Sequence, residues 1–114
     1  MKPIPIVLFA YARPVYLARV LVCLRENRVP LIHAFADGAK GRGDAQAVAA
    51  VRKMLRAVDW CELRLVEREA NLGLGRNVLT GVGAVAAEHE TFIVWEDDLI
   101  CAAGTYAWMC AVLR

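Results

Sequence analysis

What this sequence lacks narrows its class before any motif is considered. No uncharged run reaches the ~20 residues needed to cross a bilayer; the amino-terminal run from Pro3 to Ala12 stops at Arg13. Lys2, that run and Ala10-Tyr11-Ala12 mimic a small signal peptide, but such leaders span ~15–30 residues, and Pro3 and Pro5 interrupt the apolar part. The run reads instead as a first strand. Charge of one sign is also scarce: 14 Lys and Arg against 12 Asp and Glu leave +2, with the basic residues scattered. The clustered cationic surface that tracks nucleic-acid phosphates is therefore missing. The four cysteines, Cys23, Cys61, Cys101 and Cys110, form no CxxC pair and have no histidine at zinc-ligand spacing. They read as reduced core thiols. There is no Pro-rich linker, low-complexity tract or internal repeat. These absences point to a cytoplasmic chain with no membrane span and no nucleic-acid partner.

What is present is an apolar chain, 59% hydrophobic and 23% charged over 114 residues. That excludes disorder and suits one compact domain. Apolar runs alternate with amphipathic stretches, the pattern of crossover units feeding a mostly parallel sheet. Ile4 to Tyr11 reads as the first strand. Pro14 is pre-set for a first helical position, and Leu17, Val20, Leu21 and Leu24 keep helical spacing up to Asn27. Leu31 to Ala36 is a second strand, ending at Asp37-Gly38 and a flexible loop, with Asp44 placed to cap the next helix. That helix carries Ala50, Val51, Met54, Leu55 and Val58 on one face. Leu63 and Leu65 alternate with Arg64 and Val66, predicting a less buried third strand near an edge. Asn71 to Asn77 turns the chain into a third helix reaching about Glu88, Thr91 to Trp95 is a fourth strand, and a last helix follows Gly104. The expected fold is α/β, an open, mostly parallel sheet with helices on both faces, with about four strands and four helices. The last helix has no capping Gly or Asn before Arg114, so residues 1–114 are expected to be one domain truncated at its carboxyl end.

In open parallel sheets ligands bind beyond the carboxyl ends of the strands. Here those ends carry Arg13, Asp37, the Asn71 to Asn77 turn and Glu96-Asp97-Asp98. Three adjacent carboxylates repel one another unless a cation or donors offset them. Magnesium or manganese does so with one or two carboxylates, completing its shell with water and substrate phosphates. A solvated turn would show the same letters, but the apolar Phe92-Ile93-Val94-Trp95 run before the triplet argues for a strand end. Asn71-x-Gly73-x-Gly75-Arg76-Asn77 puts glycines and free amides at a helix start, a favourable place for a phosphate, though the glycines alone also suit a tight turn. Asp37 suits either a turn or a hydrogen bond to a base or ribose. His33, inside an apolar strand, and His89, near a helix end, read as satisfied structural histidines.

Four blocks together, Ile4 to Pro14, Ala36-Asp37-Gly38, Asn71 to Asn77 and Trp95-Glu96-Asp97-Asp98-Leu99, resemble the nucleotide-sugar half of a GT-A-type glycosyltransferase. The turn is similar to that of family 2 enzymes, and Glu-Asp-Asp-Leu with downstream aromatics to the N-acetylglucosaminyltransferase I-like group. The resemblance implies a metal-dependent transfer of a sugar from a nucleoside diphosphate-sugar, a UDP-sugar favoured, to a hydroxyl acceptor. It implies Asp98 as ligand to Mn2+ or Mg2+, and Glu96 and Asp97 near the ribose or the metal's waters. Ala12 and Arg13 would lie against the nucleotide, Asp37 against uracil or ribose, and Asn71, Gly75, Arg76 and Asn77 near the diphosphate or sugar. Members of that family continue into an acceptor-binding half that supplies the base in inverting enzymes, so this chain is expected to be the donor-binding portion, with no base assigned. The alternative is a non-catalytic nucleotide- or metal-binding module. A phosphoacceptor receiver domain would need acidic residues where Tyr11-Ala12-Arg13 stands, and a pyrophosphorylase would need a glycine-rich basic loop there.

Overall fold

The structure is a computed structural model describing residues 2–114. Four strands, β1 (Ile6–Ala10), β2 (Leu31–Ala36), β3 (Glu62–Glu67) and β4 (Ile93–Glu96), alternate with four helices, α1 (Pro14–Glu26), α2 (Ala45–Arg56), α3 (Leu74–Ala86) and α4 (Thr105–Leu113). The strands form one sheet in the order β3-β2-β1-β4, and every neighbouring pair is parallel. The chain therefore has the expected doubly wound α/β fold.

Why the sheet takes this form follows from its side-chain period. All five residues of β1 and all six of β2 are buried, as befits central strands covered on both faces. Ile6, Leu8, Ala10, Ile32, Ala34 and Ala36 point into one core, which α1, α2 and α4 cover with Leu17, Val20, Leu24, Val51, Leu55 and Cys110. Val7, Phe9 and Phe35 point the other way and meet Val78, Val82 and Val85 of α3. Strand β3 lies at an edge and alternates half-buried with exposed residues, as its sequence pattern predicts. From β1 to β3 the chain moves outward in one direction, and it returns past β1 to lay down β4. For right-handed crossovers, this reversal requires α3 to cross the face opposite α1 and α2.

The element ends differ from the sequence expectation by a few residues. Glu96 belongs to β4 rather than following it, and α3 stops at Ala86 before a further turn through Glu88. Asp44 occupies the N-cap position of α2, but its carboxylate makes no capping bond to the helix. It accepts instead from the Lys40 and Gly41 amides, at 2.9 and 3.1 Å, and from the Tyr11 hydroxyl. The loop before the helix thus takes the oxygens that a cap would have used. Helix α1 closes with Arg28 at φ 55, its amide donating to Arg25 and that of Val29 to Leu24. This is a left-handed helix terminus with Arg where Gly is the usual choice. Among the described residues, no helix is long and apolar enough to cross a membrane.

Close packing of α3 on the sheet depends on a missing side chain. A Cβ on Gly81 would sit 2.7 Å from Phe9 and 3.0 Å from Phe35, whose rings stack with centroids 5.6 Å apart. A Cβ on Gly83 would meet nothing within 4 Å. Gly81→Ala is expected to lower stability by about 1–3 kcal/mol through overpacking, whereas Gly83→Ala raises it by about 0.5–1 kcal/mol through the lower entropy of its unfolded chain. Urea denaturation midpoints for the two variants, moving in opposite directions, check this.

Candidate functional site at the β1 and β4 carboxyl ends

Strands β1 and β4 are neighbours although one begins the sheet and the other ends it, so the order of chain propagation reverses between them. Ligands in open parallel sheets commonly bind beyond the strand ends at such a reversal, although here the helices that follow β1 and β4, α1 and α4, cover the same face of the sheet. A cavity of about 290 Å³ opens there, lined by Tyr11, Arg13, Asp37, Lys40, Asn71, Gly73, Asn77, Glu96, Asp97 and Asp98 among others. Eight residues named from sequence, Arg13, Asp37, Asn71, Gly73, Asn77, Glu96, Asp97 and Asp98, therefore meet on one rim. Gly75 and Arg76 lie on the exposed first turn of α3, and neither they nor Ala12 line the cavity. Tyr11 and Lys40 do, although the sequence reading assigned them no site role. Their position beside the strand ends was the available signal.

The acidic triplet is held on a tight turn. The Trp95 indole N–H donates to the Leu99 carbonyl at 2.8 Å, and the Leu99 amide donates to Glu96 at 3.3 Å. Trp95 is itself buried in the core, so the turn is fixed from below. Asp97 is half-buried and Asp98 exposed. Burial pushes the Asp97 carboxyl above its ordinary pKa, with Arg13 and the Tyr11 backbone acting against the rise and Asp98 adding to it. Only one cationic side chain makes an ion pair with the triplet among the described residues: Arg13 Nη1 lies 3.4 Å from Asp98 Oδ2. Both groups are open to solvent, and a bridge of that kind contributes ~0–1 kcal/mol. It leaves Asp98 available to a stronger cation, and the three carboxylates supply the hard oxygen donors that Mg2+ or Mn2+ takes. One or two of these carboxylates would suffice for such an ion, which completes its shell with water and phosphate, although the three are not gathered within ligating distance of one another as His33, Glu88 and His89 are.

Asp37 behaves differently from the triplet. It is 3% exposed, and its Oδ1 accepts from the Gly38 and Leu72 amides, both at 2.8 Å. Its Oδ2 accepts from the Gly73 amide at 3.1 Å and the Asn71 side-chain amide at 3.4 Å. The Leu72 and Gly73 amides just before α3 are therefore taken by the chain's own carboxylate. Its four acceptor positions are taken, so Asp37 builds the rim by tying β2 to the turn before α3. Gly73 at φ 82 supplies the left-handed conformation this turn needs. Gly38 supplies the close approach, since a Cβ there would sit 2.6 Å from the Ala70 backbone. Asn71 also donates to the Gly38 carbonyl at 2.8 Å. Asn77, buried, donates to the Phe35 carbonyl at 3.2 Å and accepts from Arg68 at 3.1 Å.

On the opposite side of the cavity, the Tyr11 hydroxyl bond to Asp44 holds the Lys40 loop against β1, and the Lys40 ammonium lies 5.9 Å from the Tyr11 ring centre. Two cations, Arg13 and Lys40, thus border a crevice that also carries Glu96, Asp97 and Asp98, with neutral residues such as Phe9, Asn71, Leu74 and Asn77 between them.

Removing the Asp37 side chain leaves three backbone amides without their acceptor, so Asp37→Ala is expected to cost about 2–4 kcal/mol in chemical denaturation. A second expectation concerns acid. The Tyr11 hydroxyl, then the Lys40 and Gly41 amides, lower the Asp44 pKa to about 2 from 3.8. A depressed carboxyl stabilises the fold above its unfolded pKa and loses that contribution as pH falls through the folded value. Between about pH 5 and pH 2 the wild type should therefore lose more stability than Tyr11→Phe, measured by denaturant titration at each pH.

In comparisons with protein-family models, curated proteins and solved structures, nothing matches this chain.

Proposed function

We propose that the crevice between β1 and β4 binds a nucleoside diphosphate-sugar, a UDP-sugar favoured, together with Mn2+ or Mg2+, and that the chain is the donor-binding portion of a metal-dependent glycosyltransferase of the GT-A type. The observation that carries this reading is the convergence of Glu96, Asp97 and Asp98 with Arg13 and Lys40 around one cavity at the reversal of strand order. Phosphate oxygens need positive charge and a hard cation, and both are provided for on that rim.

In this reading Asp98, the exposed carboxylate paired with Arg13, ligates the metal. Asp97 and Glu96 accept hydrogen bonds from its water shell or from the ribose. A divalent cation bound there supplies Lewis-acid neutralisation of the charge that develops on the departing diphosphate. Arg13 exchanges Asp98 for a phosphate oxygen when the metal takes the carboxylate, and Lys40 approaches the same group from the opposite wall. Asp37 acts indirectly: with its oxygens committed to the Leu72 and Gly73 amides, it keeps the turn before α3 in place beside the sugar-binding end. The acceptor hydroxyl and the base that deprotonates it have no assigned residue.

Calorimetric titration with UDP, with and without Mn2+, tests the proposal. Binding should require the metal and weaken at least about tenfold in Asp98→Ala, the ~1.4 kcal/mol scale of a single strong metal contact. Binding that is independent of metal and unchanged in Asp98→Ala would overturn it. Metal-dependent UDP binding without sugar transfer or hydrolysis by a protein containing this chain would favour the non-catalytic nucleotide-binding module instead.

A further inference from the structure

A second cluster of ligating groups lies away from the crevice, on the α3 face of the sheet. His33 sits in the middle of β2, in register with Val7 of β1 and Arg64 of β3. The turn that continues α3 carries Glu88 and His89, whose amides both donate to the Val85 carbonyl at 3.0 and 2.9 Å. This turn brings His89 against His33, with the imidazole rings edge to face and their centroids 5.3 Å apart. One potential ligand atom from each of His33, Glu88 and His89 lies within 4.8 Å of the other two. His33 is 7% exposed, and its Nε2 is buried with no hydrogen-bond partner. That departs from the satisfied structural histidine expected from sequence. A buried imidazole nitrogen without a partner is costly unless something occupies it.

We infer that His33, Glu88 and His89 form a zinc site that fastens the carboxyl end of α3 to the sheet. Two imidazoles and one carboxylate are a donor set zinc takes readily, leaving a fourth position for water. Tetrahedral bonds of ~2.0–2.2 Å place ligand atoms roughly 3.4 Å apart, so the present spacing of up to 4.8 Å closes by small rotations of Glu88, which is exposed, and His89, which is half-buried. The charged neighbour is Arg64, whose Nη1 donates to Glu88 Oε2 at 3.2 Å. It has a second carboxylate partner, Glu62, at 3.0 Å from its Nε, to which it can remain bound when Glu88 turns to the ion. The site uses no residue of the crevice, so it stands or falls independently of the nucleotide-sugar reading.

Titration of the purified chain with Zn2+ against a chromogenic chelator, followed by thermal unfolding at saturating zinc, tests this inference. The expected result is one zinc per chain, a raised Tm, and affinity reduced at least tenfold by either Glu88→Gln or His89→Ala. Both substitutions fall on accessible side chains, and circular dichroism of the metal-free variants establishes that they fold. Cys101→Ser should bind zinc as the wild type does. The inference is overturned by the absence of stoichiometric binding, by binding that survives both His89→Ala and Glu88→Gln, or by binding lost in Asp98→Ala or Cys101→Ser, which would place the ion at the acidic rim or at the thiols.

Discussion

Strand β1 is bonded on both edges, to β2 along Ile6–Ala10 and to β4 along Ile6–Phe9, and most of the molecule's arrangement follows from that double pairing. A strand with two parallel partners and a helix layer above and below must be apolar on both faces, and the Ile-Val-Leu-Phe-Ala segment meets that demand. The crevice lies at the carboxyl ends of these strands, and its chemistry comes from the loops that follow β1 and β2, the turn that opens α3 and the acidic end of β4.

Carboxylates of the same residue type meet contrasting fates in this framework. Asp37 is buried but surrounded by four donors, so its charge is compensated within the chain. Asp44 is half-buried and is held ionised by a hydroxyl and two amides. Asp97 is partly buried with weaker compensation, and its neighbour Asp98 has one exposed partner. Carboxylates already saturated by amides are structural, while those left under-compensated beside a cavity are the ones free to take a ligand. On that criterion Asp37 supports the crevice, and the acidic rim is its less compensated part.

Helix α3 connects the two regions of interest. Its first turn is anchored by the Asp37 carboxylate, its middle packs through Gly81 against Phe9 and Phe35, and the turn beyond it delivers Glu88 and His89 to His33. The helix is the only one on its face of the sheet among the described residues. Its anchorage at both ends consequently matters more than it would for α1 and α2, which share their side with α4.

Alternating apolar and amphipathic segments were enough to determine four strands, four helices and a parallel sheet, because side-chain period and burial are local properties of the chain. The edge position of β3 could be read from the Glu62 to Glu67 alternation for the same reason, and the strand ends carrying Arg13 and Glu96 to Asp98 followed from where apolar runs stop. Partnerships between segments distant in sequence were not legible. The letters around Asp37 and Gly73 do not show that the Asp37 carboxylate takes four donors from two loops, because those loops meet only in the folded chain. Likewise, His33 and His89 each look unremarkable in their own segments and become a pair only when α3 crosses the sheet. Local composition determined the elements; which strand reversed the order, and hence which charges face one another across a low-dielectric wall, was decided by the packing of elements that the chain separates by dozens of residues.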